Sequence, residues 1–353
     1  MSDKLRVGIT HGDYNGVGYE VTLKALANEE ITELFTPVFY AIPQLVEETM
    51  QRYGLTLPRI NVIREAAEAR DGLLNIVDLG IRNVSLTPGE STPASGAAAV
   101  IALERAVTDV MEGITDTIVT APICKETVQN DSFRFPGHTE YLGHRAGAVP
   151  QMILFDSHVR MALLTTHLPL TDVPAAISKD RIVKAVKELH HTLKQDFDID
   201  APKIAVLSLN PHNGDGGLLG REEIDIIRPA IEELADGYLA FGPFAADGFF
   251  ASGSWSKFDG VLAMYHDQGL APFKALAGPE GVNFTAGLPF VRTSPDHGTG
   301  LDIAWEGVAD PESMRQAIYA AIDLTRNRRR NIECAANPLP KMPEKERKND
   351  KKE

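Results

Sequence analysis

Short, almost unbroken apolar runs alternate with amphipathic stretches along this chain, and that alternation limits the possible folds more than any other feature. Leu5–Thr10, Asp116–Thr120, Met152–Phe155, Met161–Thr165, Lys203–Leu209 and Gly260–Met264 each read as a strand. Strands without polar alternation belong to a sheet covered on both faces, as in parallel sheets with crossover helices. The stretches between them supply such helices. The clearest has Ser178 as N-cap, Asp180 in its first turn, and Ile182, Val186, Leu189 and Leu193 on one face. The sequence therefore predicts an α/β fold with a largely parallel sheet. At ~150 residues per domain, 353 residues make one large or two ordinary domains. No internal repeat is visible.

Charge narrows the function. The formal net charge is −14, so the chain lacks the broad basic footprint of a nucleic-acid binder. Small anionic substrates stay open, because a local basic pocket can sit on an acidic surface. Two cysteines, Cys124 and Cys334, lie far apart with no metal or redox spacing, which points to a reducing compartment. No run approaches the ~18 apolar residues that span a bilayer. The N-terminal stretch passes directly from strand to glycine turn, unlike a signal peptide. The expectation is a cytoplasmic protein with no membrane and no nucleic-acid partner. Arg326–Arg330 reads as a solvated helix end, and Lys341–Glu353 as a disordered charged tail.

Ligands of open α/β sheets bind at the carboxyl ends of strands, and the polar motifs of this chain sit there. The first strand runs into Thr10-His11-Gly12-Asp13-Tyr14-Asn15-Gly16-Val17-Gly18-Tyr19-Glu20. A glycine turn before a helix can cradle an anion, or it can be a tight structural turn. The spacing is not that of a dinucleotide-binding fingerprint. Three later strands each deliver one histidine beside Pro or Gly: His167, His212 and His266. Three imidazoles with open positions are a catalytic metal arrangement, suited to zinc, cobalt or a similar ion. His138 follows Pro136-Gly137 and precedes Thr139, as in a ligand-contacting loop. Lys274, Asn283 and Arg292 fall in a Gly- and Pro-rich stretch. They are exposed surface residues, or a set suited to a phosphate and a carboxylate.

Together these motifs resemble the 4-hydroxythreonine-4-phosphate dehydrogenase family of vitamin B6 biosynthesis, from about Val7 to about Asp323. The most specific parts are Gly12-Asp13, Phe135-Pro136-Gly137-His138-Thr139-Glu140, Leu209-Asn210-Pro211-His212, Tyr265-His266-Asp267-Gln268-Gly269, and Arg292-Thr293-Ser294 with Asp296-His297-Gly298-Thr299. The resemblance implies metal ligands at His167, His212 and His266, and substrate contacts at His138, Thr139, Lys274, Asn283 and Arg292. It implies a fold like isocitrate and isopropylmalate dehydrogenases: two α/β/α domains with an interdomain cleft. One domain would comprise 1–130 plus 265–335 and the other 131–264, with 336–353 as tail. It also implies a homodimer with the active site at the subunit interface, His167 and His212 coming from one subunit and His266 from the other. The first loop departs from the family's common T-M-G-D-P-A-G-I-G-P-E at His11, Tyr14, Asn15 and Tyr19, and Trp305-Glu306-Gly307 replaces a smaller glycine-rich stretch.

The implied reaction is NAD- or NADP-dependent oxidation of the C3 hydroxyl of 4-phosphohydroxy-L-threonine. The product, 2-amino-3-oxo-4-phosphohydroxybutanoate, loses CO2 to give 3-amino-2-oxopropyl phosphate on the way to pyridoxal 5'-phosphate. One divalent metal per site (zinc, cobalt or magnesium) would assist as a Lewis acid. Asp247 and Asp267 are candidates for orienting or proton-transfer roles. A paralogue acting on D-erythronate or D-threonate 4-phosphate is the nearest alternative. An acyltransferase of related fold and a non-catalytic metal- or phosphate-binding module are weaker ones, because neither uses three histidines beside cationic contacts.

Overall fold

The computed structural model describes residues 4–129, 133–336 and 338. Twelve strands form one sheet: β1 (Arg6–Thr10), β2 (Thr36–Ala41), β3 (Ile60–Ile63), β4 (Leu74–Asp78), β5 (Thr117–Thr120), β6 (Gln151–Phe155), β7 (Arg160–Leu163), β8 (Lys203–Leu207), β9 (Leu239–Phe244), β10 (Gly260–Ala263), β11 (Val282–Ala286) and β12 (Val291–Pro295). Their spatial order is β3-β4-β2-β1-β5-β12-β11-β6-β7-β10-β8-β9. Of the eleven neighbouring pairs, eight are parallel. The three antiparallel pairs are consecutive, β12-β11-β6-β7, in the middle of the sheet. They reverse strand direction between two parallel blocks.

Each block buries its apolar faces under helices. Val7, Ile9, Phe39, Ile76 and Val119 pack with Met314, Ala317, Ile318, Ala321 and Ile322 of the C-terminal helix Glu312–Ala336. Ile153, Ala162, Ile204, Val206 and Leu262 pack with the helix Lys179–Gln195, through Ile182, Val186, Leu189 and Leu193. That helix starts where the sequence places it, with the Ser178 hydroxyl accepting from the Arg181 amide at 3.4 Å. The six strands expected from apolar runs are β1, β5, β6, β7, β8 and β10, each ending within two residues of its expected bounds.

The first loop is a structural clamp rather than an anion cradle. Gly12 has φ +69°, and a Cβ there would lie 2.3 Å from the Pro122 carbonyl oxygen. The Asp13 amide donates to that oxygen at 2.9 Å, and the Val17 amide donates to Thr299 O at 2.9 Å. The loop is thus sewn to the segments after β5 and β12. Residues that depart from the family's common pattern pack on one another. The His11 and Tyr19 rings are 5.2 Å apart, and Trp305 Nε1 donates to Tyr14 O at 2.9 Å.

The basic run 326–330 is solvated at Arg326, Arg329 and Arg330, as its composition suggests, but not at Arg328, and the helix continues past it to Ala336. Arg328 makes a two-pronged pair with Asp196, at 2.7 and 2.8 Å, and both are largely buried. Arg329 pairs with Asp116 and Arg330 with Asp198. Helical spacing aims successive arginines at acids from both blocks, which composition alone does not reveal. The tail Lys341–Glu353 lies outside the described residues.

Candidate active site

A cavity of about 210 Å3 lies between the two blocks. Thr120 at the end of β5, Lys125 beyond it, Asn283 of β11, and Arg292 and Ser294 of β12 come from one side. Gly137–Glu140, Met152 and His167 come from the other. The β11–β12 pairing aligns Phe284 with Thr293. The next pair along brings Arg292 Nη1 to the Thr285 hydroxyl at 2.9 Å, while Nε and Nη2 donate to Thr120 Oγ1 at 3.0 and 2.5 Å. Arg292 is buried, at 2 % exposure, and no carboxylate hydrogen-bonds it among the described residues. Burial pushes its guanidinium down to about 9, with the charge of Glu140 opposing. A buried cation held only by hydroxyls is electrostatically incomplete, and an anion in the cavity completes it.

Polar atoms of the same lining also lack partners. His138 Nε2, Asn283 Oδ1 and His297 Nε2 are buried without hydrogen-bond partners. Such orphans are costly unless a ligand or water meets them. His138 opens the helix His138–Ala146, whose N-cap Gly137 supplies no capping side chain. The free amides of that first turn and the helix dipole favour an anion at the lining segment 137–140. Burial first, then the charges of Arg292 and Lys125, hold His138 well below its usual range, so its imidazole is neutral. Interaction with His167 is the main cause that lowers the Glu140 carboxyl, so it is ionised.

The three strand-end histidines belong to three adjacent parallel strands, β7, β10 and β8. His167 and His266 approach to 6.0 Å between ring centroids. Asp267 Oδ1 lies 2.6 Å from His266 Nδ1 and orients that ring, leaving Nε2 for a metal. His212 is exposed, in a turn where His212–Gly216 all have left-handed φ. Among the described residues no three His, Cys, Asp or Glu side chains converge as a metal-binding set. Imidazole donors fit a divalent ion in kind. Within this chain His167 and His266 are neighbours, and His212 does not join them as a third donor.

Other expected residues fall differently. His138, Thr139, Asn283 and Arg292 line the cavity. Lys274 does not; its Nζ is 3.1 Å from Asp296 O and 3.5 Å from Asp296 Oδ1. Asp247 is exposed in the first turn of a helix after the edge strand β9 and lines no part of the cavity. Thr120, Lys125 and Glu140 are lining residues that the sequence did not single out. The signal available for Lys125 was its place just beyond the Asp116–Thr120 strand, and for Glu140 its place in Phe135-Pro136-Gly137-His138-Thr139-Glu140. A larger chamber of about 690 Å3 opens beside the cavity and shares Thr139, Glu140, Met152 and His167 with it.

Comparison with known proteins agrees in kind with this geometry. Residues 33–321 match the family model described as pyridoxal phosphate biosynthetic protein PdxA. The chain is 50% identical over 344 residues to a 4-hydroxythreonine-4-phosphate dehydrogenase of Bacteroides thetaiotaomicron, covering 96% of this chain and 94% of the relative. It is 37% identical to a putative D-threonate 4-phosphate dehydrogenase of Cutibacterium acnes, covering 91% and 94%. The crystal structure of a Klebsiella pneumoniae 4-hydroxythreonine-4-phosphate dehydrogenase superposes with a TM-score of 0.79 at 34% identity, covering 92% of this chain and 99% of that one.

Proposed function

Because the chain belongs to the pyridoxal phosphate biosynthetic protein PdxA family, we propose that it is a dehydrogenase that oxidises 4-phosphohydroxy-L-threonine at C3 with NAD or NADP. Hydride leaves C3 for the nicotinamide and the hydroxyl proton goes to solvent. The resulting 2-amino-3-oxo-4-phosphohydroxybutanoate loses CO2 from C1 and takes up a proton at C2, giving 3-amino-2-oxopropyl phosphate. The observation that carries this reading is Arg292, a buried cation without a carboxylate partner, ringed by orphaned polar atoms of His138, Asn283 and His297 in one small cavity. Such a pole binds a phosphate ester.

The chain's residues divide the work. Arg292, Asn283 and the amides at 137–140 hold the phosphate and fix the carbon chain. Neutral His138 adds a hydrogen bond without adding charge. Asp267 orients His266. A divalent metal held by His167, His212 and His266 would supply Lewis acidity at the reacting hydroxyl and the later carbonyl. The adjoining chamber has the volume of an ordinary ligand site, and its apolar wall of Val149, Met152, Leu163, Leu164 and Leu168 suits a nicotinamide ring. In the same reading the molecule works as two α/β units of the isocitrate dehydrogenase kind, 1–130 plus 265–335 and 131–264, paired as a homodimer. Lining residues from both units support a cleft between them.

The D-threonate relative supports a second reading, in which the substrate is D-threonate or D-erythronate 4-phosphate. Purified protein with a divalent metal, NAD or NADP and each phosphate ester, followed at the nicotinamide absorbance, separates the two. Reduction of the nicotinamide with 4-phosphohydroxy-L-threonine and release of CO2 is the expected result. Turnover only of the sugar-acid phosphates moves the assignment to the second reading, and turnover of none removes both.

A further inference from the structure

We propose that Lys125 is the substrate-binding cation for the carboxylate end, opposite the phosphate pole at Arg292. The inference rests on the substrate class assigned above. Lys125 follows β5 in the 1–130 unit, yet its Nζ reaches across the cavity to 3.5 Å from His167 Nε2. Its charge also acts on His138 and Glu140 of the facing helix. No carboxylate lies within ion-pair distance of it among the described residues. Lys274, by contrast, is engaged by Asp296 and is not part of the lining.

Depth decides which end each cation takes. Arg292 is buried and shares its end with the amides of a helix N-terminus and with Asn283, a multi-donor set suited to a phosphate dianion. Lys125 is exposed at the mouth, a single point charge beside the imidazoles. In a four-carbon 4-phosphate the carboxylate and the phosphate lie on opposite sides of C3. With phosphate at Arg292 and C3 near His167, the group that faces Lys125 is the carboxylate. One buried and one exposed cation lining the same small cavity also favour a ligand with two anionic groups over a phosphate monoester without a carboxylate.

The test is calorimetric binding of 4-phosphohydroxy-L-threonine, D-erythronate 4-phosphate and inorganic phosphate to full-length wild type, Lys125→Met and Lys125→Arg, without cofactor. Lys125→Met is expected to weaken binding of the best-bound ester by about ten- to a hundredfold while inorganic phosphate stays within about twofold. Lys125→Arg should recover most of the loss, which a merely structural role would not predict. Unchanged ester binding by Lys125→Met overturns the proposal. Equal loss of ester and inorganic phosphate also overturns it, because Lys125 then belongs to the phosphate pole. Binding is read without turnover, so an enzyme that binds an ester through Lys125 but never oxidises it refutes the reaction and leaves Lys125 standing.

Discussion

Arg292 and His11 are both buried and both lack the partners their chemistry asks for. Their surroundings send them to opposite uses. Arg292 faces a cavity, so its unmet charge is a binding site. Arg292→Ala should lower kcat/KM by about a hundredfold, and Arg292→Lys should not restore it, because a point charge cannot reproduce the fork that Thr120 and Thr285 orient. His11 faces only core. Burial lowers its pKa to about 4 from 6.5, so the folded chain holds it neutral while the unfolded chain protonates it. Its contribution is complete above pH 6.5 and is lost as pH falls from 6.5 toward 4, by roughly 3 kcal/mol in all. His11→Met should flatten that limb of a urea-midpoint-against-pH curve, and an unchanged limb would refute the assignment. Arg292 was legible as a candidate anion contact, but neither its burial nor the role of His11 could be read from residue type. Arg292 sits in a stretch whose Gly and Pro content reads as loop, and only the β11–β12 pairing turns it inward. The strand-end placement of His167, His212 and His266 was legible because each follows an apolar strand, a signal that survives in one dimension.

At the scale of elements, burial alone did not decide which strands were legible, because β2 and β12 are buried throughout and escaped the sequence as the half-exposed β3 and β9 did. β3, at the sheet edge, has a part-buried pattern, and β9 is mostly open. Asn61 interrupts β3, Gly242-Pro243 reads as a turn inside the apolar run of β9, Pro37 lies in β2, and Arg292-Thr293-Ser294 fills β12. Two elements carry predictions. The first loop holds the Pro122–Lys125 segment through Gly12, where left-handed φ and a 2.3 Å approach leave no room for a side chain. Gly12→Ala should cost at least ~2 kcal/mol and depress activity, since Lys125 moves with Pro122. Wild-type melting and kinetics in that variant would show that the loop is not a clamp. The C-terminal helix depends on Arg328, whose loss strands Asp196 at 3 % exposure. Arg328→Met should lower stability by ~3 kcal/mol in urea unfolding, and Asp196→Leu added to it should recover part of that.

For the whole molecule, the sheet is continuous across the antiparallel centre and the C-terminal helix binds both blocks, so the blocks should unfold together. The two tryptophans report one block each: Trp305 packs in the first core and Trp255 against the second. Trp255→Phe and Trp305→Phe each leave one reporter. Their fluorescence midpoints in urea should coincide with circular dichroism of the same variant, and separated transitions would mean independent units. The fold class was legible at this scale, while the reversal of strand direction was not. It depends on which strands pair, and apolar runs carry no record of their neighbours.

The position of the last helix has a consequence for how the protein is made. Met314, Ala317, Ile318, Ala321 and Ile322 complete the core of the block that contains β1 to β5, and β12 pairs with β5. The block assembled around Lys179–Gln195 takes only Leu324 from that helix into its apolar core, the rest of the contact being polar and at the rim. A ribosome therefore releases the first-made half without its closing parts and finishes the later-made half sooner. Nascent chains ordinarily mature from the N-terminus onward. Here residues 4–120 must wait, with apolar surface open, until the helix Glu312–Ala336 has been made, and whatever shelters that surface in the interval acts on the half that was born first.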